Sequence, residues 1–196
     1  MKKFISDNSN AIVKFLLTHV VMSVLGIMVG LAVLSIEGEG TTGFSLIAII
    51  GSLFTVGFMC FMHYDDMYFI AEKDGIRARA EGLEPDKFKG IKITLLAYSP
   101  VILITIVAVI ISLVSSDDTS TVSQLVFYAF QGSFISLYAL RQFIGFARYA
   151  LVSLLPAIIS SVLGYYLGQK DKTLRGLFGM NVKPPYDGPI ERKPKK

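Results

Sequence analysis

The imidazole of His19 is the one basic or acidic side chain well inside a long apolar segment of this sequence. Such a group in a membrane span points by default to a proton relay or a ligand contact, because burying it in hydrocarbon is costly. No Asp, Glu, Lys or Arg stands deep in another apolar segment, so a relay has no evident partner. The sequence therefore favours a neutral histidine bonded to Ser23 or to a neighbouring helix, and disfavours an ion-coupled transporter.

A second polar group follows the next apolar segment. His63 and Asp66 stand three residues apart, beside Asp65, and would share one face of a helix. Imidazole and carboxylate are ligands for divalent metal ions, but two ligands do not make a site. The sequence predicts a solvated helix end here, and it predicts no metal or cofactor anywhere in the chain.

The residues from Asp74 to Arg79 read D-G-I-R-A-R. This run resembles the D-G-x-x-A-R core of the CDP-alcohol phosphatidyltransferases, membrane enzymes that hold paired metal ions with aspartates. The resemblance covers about a dozen residues, and two aspartates of the pattern are replaced by Ala71 and Gly90. The two that are left cannot hold two Mg²⁺ ions. We therefore interpret the match as chance, which favours a non-enzyme and leaves the question of an enzyme open, with Asp74 kept as a candidate residue.

The composition is that of an integral membrane protein. Of the 196 residues 53% are hydrophobic and only 17% are charged, with a mean hydropathy of +0.58. Four segments are long enough to cross a bilayer as helices, namely 15–36, 43–64, 93–114 and 149–167. The predicted fold is all-α: an integral membrane helical bundle of four transmembrane helices plus one amphipathic or partial membrane helix.

The amphipathic segment is predicted over residues 121–148. Its glutamines and tyrosines recur at helical spacings and form one stripe, which includes Gln131, while phenylalanines line the adjacent face. Two readings stay open: an interfacial helix on the outer face, or a span packed inside the bundle. Gln131 and Arg141 are its candidate functional residues.

The basic residues predict the orientation. Lysines precede the first span, six basic residues lie in the predicted cytoplasmic loop 65–92, and eight lie in the partly disordered tail 169–196. The connections after the first and third spans carry acids and no bases. The positive-inside rule therefore places the N-terminus, the loop and the tail in the cytoplasm, near anionic inner-leaflet lipids. This alternation also argues against nucleic-acid binding. With five spans the tail would lie outside.

Small residues mark the faces that pack. Gly26 and Gly30 form a GxxxG pattern in the first span, and Ala157, Gly164 and Gly168 share a face of the last one. Small residues let helices approach closely in lipid, so we expect packing within the chain, with a homo-oligomer as the alternative.

Two passages carry a further resemblance. Residues 86–92 read D-K-F-K-G-I-K and lead into a span that contains Pro100, and Leu155-Pro156 precedes G-Y-Y-L-G at 164–168. Both resemble small, uncharacterised polytopic membrane proteins of Gram-positive bacteria, over roughly the second half of the chain. The resemblance implies a membrane location and no particular activity.

Three functions follow from these observations. The first is a non-enzymatic accessory or partner-binding membrane subunit, since no catalytic constellation is complete. The second is a small transporter or channel component in which the glutamine and tyrosine stripe faces a pathway. The third is a lipid-processing enzyme that uses the loop around Asp74.

Overall fold

The computed structural model describes residues 2–37, 46–84, 86, 88–114, 117–137 and 144–170. All regular secondary structure among them is helical, which confirms the predicted fold class. The elements in chain order are α1 (Lys2–Glu37), α2 (Leu46–Glu81), α3 (Lys89–Val114), α4 (Asp117–Phe130), a 3₁₀ segment (Gly132–Leu137), α5 (Phe146–Val152) and α6 (Leu155–Gln169).

Four stretches of the described part of the chain are long and apolar enough to cross a membrane. They are Lys2–Val33, Leu46–Glu81, Lys89–Val114 and Phe146–Gln169, the last made of α5 and α6 in succession. Their outward faces carry large exposed side chains, among them Leu53, Leu103 and Leu113. Both histidines are buried, with several hydroxyl side chains that include Ser52 and Thr55. Apolar groups outside and polar groups inside suit a lipid environment, so the chain fits a multi-pass membrane protein.

The second helix is longer than the sequence predicted. The prediction of a loop from residue 65 is wrong for its first part, because α2 continues to Glu81. The buried face of α2 continues beyond residue 65 at helical spacing, through Met67, Ala71 and Ala78. The helix ends where Gly82 adopts φ +68°, and the Leu83 N–H then donates to the Ala78 carbonyl. A glycine in this left-handed conformation is the usual helix stop.

One end of the bundle is basic. There α1 begins, α2 ends, α3 begins and α6 ends, as the Lys14–Asp66 and Lys89–Asp74 ion pairs (both 2.8 Å) show. Helix α6 ends at the same end of the bundle, since the Gln169 backbone lies against Gly75. We call this the basic end and the opposite one the far end. The chain therefore reaches Lys170 at the end of the bundle where α1 begins.

The segment predicted as one amphipathic helix over 121–148 is instead a hairpin. From the far end α4 runs antiparallel to α3, with Ser123 opposite Ala108 and Gln131 opposite Tyr98. The chain turns at Gln131, and the 3₁₀ segment runs back towards the far end along α1, where Ile135 lies against Gly30. The polar stripe does not show this break, because its glutamines and tyrosines keep their helical spacing on both sides of Gln131. Irregular backbone at membrane depth is tolerated where protein buries it, and the turn at residues 131–134 is buried.

Glycines and alanines mediate the tightest contacts between helices. A Cβ on Gly164 would lie 2.3 Å from the Tyr64 carbonyl oxygen, and one on Gly168 would lie 2.4 Å from that of Tyr68. Ala157 is fully buried, and Gly26 meets the backbone of Ser133. These small-residue positions thus lie at contacts within the chain.

We expect Gly164→Ala to destabilise the fold by about 1–3 kcal/mol, because the new methyl meets backbone that cannot swing aside. The measurement is thermal unfolding of the purified protein in detergent micelles. Gly57→Ala is the matched control, since a Cβ there meets nothing within 4 Å. Equal melting temperatures for Gly164→Ala and the control would contradict the close approach of α2 and α6.

Candidate functional site

Two histidines meet in the interior of the bundle. His19 of α1 and His63 of α2 are 1% and 0% exposed, and His19 Nδ1 lies 3.4 Å from His63 Nε2. The ring centroids are 5.6 Å apart and the planes differ by 18°. The centroid distance exceeds the nitrogen distance by about two imidazole radii, so the nitrogens face each other edge to edge. The prediction of a solvated helix end at His63 is wrong, because α2 continues beyond it and α1 covers it.

The tip of the hairpin fixes the orientation of His19. Its Nε2 lies 3.0 Å from the carbonyl oxygen of Phe130, which also accepts a hydrogen bond from Ser23 Oγ at 2.7 Å. This carbonyl is available because α4 ends at Phe130 and leaves its last carbonyls without helical partners. A carbonyl only accepts, so Nε2 of His19 carries the proton and Nδ1 is the acceptor. The expectation of a neutral histidine bonded to another helix describes this contact.

The same reasoning assigns the protons of His63. Its Nε2–H donates to His19 Nδ1, which leaves Nδ1 of His63 with a lone pair. That nitrogen is buried and has no hydrogen-bond partner among the residues that the structure describes. A buried polar atom without a partner is uncommon in native proteins and calls for an explanation.

Aromatic rings enclose the pair. Phe15 stacks on His63 with centroids 4.2 Å apart, and Tyr98 presents its edge to His19 at 4.8 Å. The amide of Gln131 donates to the Tyr98 hydroxyl at 3.1 Å, so this candidate residue lies in the core beside the pair. The predicted stripe does not form one continuous face, because the helix breaks at Gln131. Arg141 lies outside the described residues.

A charged group lies one turn from the pair, towards the basic end. Asp66 is 5% exposed, accepts a hydrogen bond from Thr18 at 2.7 Å and pairs with Lys14 at 2.8 Å. The Lys14 side chain is 60% exposed, so the network reaches the surface of the bundle. The sequence argument that a relay has no buried partner is therefore wrong: α2 supplies both His63 and a buried carboxylate.

Hydroxyl groups continue the polar interior towards the far end. Thr55 Oγ1 donates to the Ser133 carbonyl at 2.7 Å, and Ser133 Oγ donates to the Met22 carbonyl at 3.0 Å. The buried hydroxyl of Thr105 on α3 has no partner within the described part of the chain. Polar atoms thus line the interior on both sides of the histidine pair.

The candidate Asp74 belongs to a separate cluster at the basic end. Lys89 pairs with its carboxylate at 2.8 Å, and the Tyr165 hydroxyl donates to it at 2.9 Å. Nearby, burial raises the pKa of Asp86, but the Phe88 N–H and the Lys92 ammonium outweigh it and hold that pKa below its usual range. Across the described ranges, no group of three or more His, Cys, Asp or Glu side chains is placed to hold a metal ion.

The bundle, the hairpin and the histidine pair define a helical membrane protein with a polar interior. No family model, no curated protein and no solved structure matches the chain. The residues that sequence reasoning missed are Phe15, Tyr98 and the Phe130 carbonyl. The one local signal was Gly132 directly after Gln131, which marks the turn.

Proposed function

We propose that this protein is a small transport protein that moves protons through the interior of its bundle. The observation that carries the proposal is the bare Nδ1 of His63, fully buried beside His19 and one turn from Asp66. Ionisable groups inside membrane spans mark proton and ion pathways, and imidazole relays protons because its two nitrogens can hold and release them separately.

The geometry defines the order of the steps. A proton that enters past Asp66 binds Nδ1 of His63, and the resulting imidazolium passes its Nε2 proton to Nδ1 of His19. His19 then holds two protons and releases the one on Nε2. The Phe130 carbonyl blocks that release, so the hairpin tip must withdraw before water can accept the proton. One proton has then crossed the pair with none gained or lost, and each ring is left in the other tautomer, with its proton on Nδ1. Loss of that proton to water and uptake of another on Nε2 restores the starting tautomers.

The orientation completes the proposal. Lys14, Arg77, Lys89 and Lys92 lie at the basic end, which we place in the cytoplasm against anionic lipid. Each basic side chain near an anionic leaflet contributes about 1 kcal/mol of attraction. The pathway would then open to the cytoplasm at Asp66 and to the outside behind the hairpin.

The orientation predicts the accessibility of the tail. A single cysteine at Asp187, placed in a Cys60→Ala background, should react with a membrane-impermeant maleimide only after the cells are permeabilised. The matched sample is the Cys60→Ala protein without the new cysteine. Labelling of intact cells would contradict a cytoplasmic basic end.

The accessory-subunit hypothesis rests on the lack of a complete catalytic constellation and on the small-residue faces of the helices. In the structure several of those small residues lie at contacts within the chain. A pull-down from native membranes tests the accessory-subunit hypothesis separately, because a partner subunit should be recovered in stoichiometric amounts. The lipid-enzyme hypothesis is weakened by the ion pair between Asp74 and Lys89, which occupies the carboxylate that a metal would need.

Proton flux into liposomes tests the transport proposal. Purified protein is reconstituted in metal-free vesicles that contain a pH-sensitive dye, and a potassium gradient with valinomycin makes the interior negative. We expect the interior to acidify faster than in protein-free vesicles, in proportion to the protein added. Equal rates with and without protein would overturn the proposal.

A further inference from the structure

Two methionines lie one helical turn from the histidine pair. Met22 follows His19 by three residues on α1, and Met59 precedes His63 by four residues on α2. Residues at these spacings are neighbours on one helix face. Both methionines are buried, 3% and 0% exposed. The two helices are antiparallel, so each methionine lies one turn from its histidine on the same side, towards the far end.

We propose that this group of four residues is a binding site for a soft monovalent metal ion, such as Cu⁺. The imidazole nitrogens His19 Nδ1 and His63 Nε2 are the primary ligands, and the thioethers of Met22 and Met59 receive the ion on the far side. The inference rests on the proposed function in one respect: the pair is taken to be the substrate site, and the metal ion is a substrate that takes the place of the shared proton.

The distance between the nitrogens suits a metal ion. Two metal–nitrogen bonds of about 2.0 Å in a line span about 4 Å, so the 3.4 Å gap must widen by roughly half an ångström. Because the rings meet edge to edge, the two nitrogens oppose each other across a straight line. This arrangement places the two nitrogens on opposite sides of the ion and leaves the side towards the far end open to the thioethers.

The imidazole and thioether ligands also favour Cu⁺ over other metal ions. Thioether and imidazole are soft or borderline donors that favour Cu⁺, whereas hard divalent ions require carboxylate or carbonyl oxygens. The nearest carboxylate, Asp66, is already engaged by Lys14 and Thr18. A single positive charge also costs less to bury among apolar side chains than a double one.

The surroundings already orient one ligand. A histidine that binds a metal commonly donates its other ring N–H to a carbonyl or carboxylate, which fixes the tautomer. His19 donates from Nε2 to Phe130, so its Nδ1 faces the site as a bare acceptor. On the other side, the Nε2 proton of His63 moves to its unpartnered Nδ1, so the ion binds without net proton release.

Competition for Cu⁺ tests the inference. The full-length protein in detergent, kept reduced with ascorbate, is titrated against the Cu⁺ complex of bicinchoninate, whose colour reports metal transfer. We expect one Cu⁺ per chain, with the affinity lowered at least about tenfold by His63→Gln and by Met59→Leu. Met67→Leu is the matched control, since Met67 is equally buried on the other side of His63 and should leave the affinity unchanged.

A second measurement keeps the inference testable if a histidine variant folds poorly. The redox-inert ion Ag⁺ should raise the melting temperature of the wild-type protein and of Met67→Leu, but much less that of Met59→Leu. No transfer of Cu⁺ to the wild-type protein, or equal affinity in all variants, would overturn the metal site. Proton flux in metal-free vesicles is unaffected by that outcome, so failure here and failure of the proposed function are distinguishable.

Discussion

Replacing His63 with leucine should reduce proton flux to the rate of protein-free vesicles. The substitution removes the buried nitrogen that receives the proton and the donor that His19 Nδ1 accepts from. Positioned groups that transfer protons typically accelerate the transfer about 10²–10⁴-fold, so the loss should approach the limit of detection. The measurement is the dye-based flux assay in metal-free liposomes, with equal amounts of folded protein.

Two further variants separate loss of the relay from loss of the fold. His63→Gln keeps a hydrogen-bonding side chain of similar reach, but an amide does not take up a proton near neutral pH. It should therefore be as inactive as His63→Leu, while Met67→Leu should conduct at the wild-type rate. A well-folded His63→Leu protein that conducts normally would show that protons do not pass through the pair.

Adding a single methyl group at Gly132 should disrupt the hairpin. A Cβ there would lie 2.1 Å from the Ser23 carbonyl oxygen and 2.7 Å from Ile27 Cγ1, and the oxygen is held in the backbone of α1. The hairpin must therefore move away from α1, which pulls the Phe130 carbonyl from His19 and Ser23. We expect Gly132→Ala to destabilise the fold by about 1–3 kcal/mol.

The readout is thermal unfolding in detergent, compared with Gly57→Ala, whose added methyl meets open space. The control should be neutral or slightly stabilising, because alanine is a better helix former than glycine by about 1 kcal/mol. Gly132→Ala should also raise the proton flux of the protein that stays folded, because a displaced hairpin tip exposes His19 Nε2. A Gly132→Ala protein with the melting temperature and the proton flux of the wild type would contradict the hairpin's position.

The spanning helices could be predicted from the sequence because each depends on a local property. Long apolar runs must be helical in lipid, whatever their neighbours. Gly164 and Gly168 likewise predict close helix packing. The local sequence does not predict that the partner helix is α2.

The candidate site could not be predicted, because it depends on contacts between distant segments. Hydropathy falls at Asp65 and Asp66, so the sequence predicts a span that ends at Tyr64, with His63 at the boundary with the cytoplasm. In the structure, Lys14 and Thr18 from α1 satisfy Asp66, which allows α2 to continue with His63 buried. The break at Gln131 has a similar origin, since the tip is stabilised by α1 rather than by its own sequence.

The hydrogen bond between the two imidazoles is the most direct test of the central claim, and ¹⁵N NMR of histidine-labelled protein measures it. We predict an N–H on His19 Nε2, a bare His19 Nδ1, and a scalar coupling across the bond from His63 Nε2 to His19 Nδ1. His19→Gln, which removes one of the two rings, assigns the signals and should abolish the coupling. Two imidazoles that exchange rapidly with water and show no coupling would contradict the buried pair.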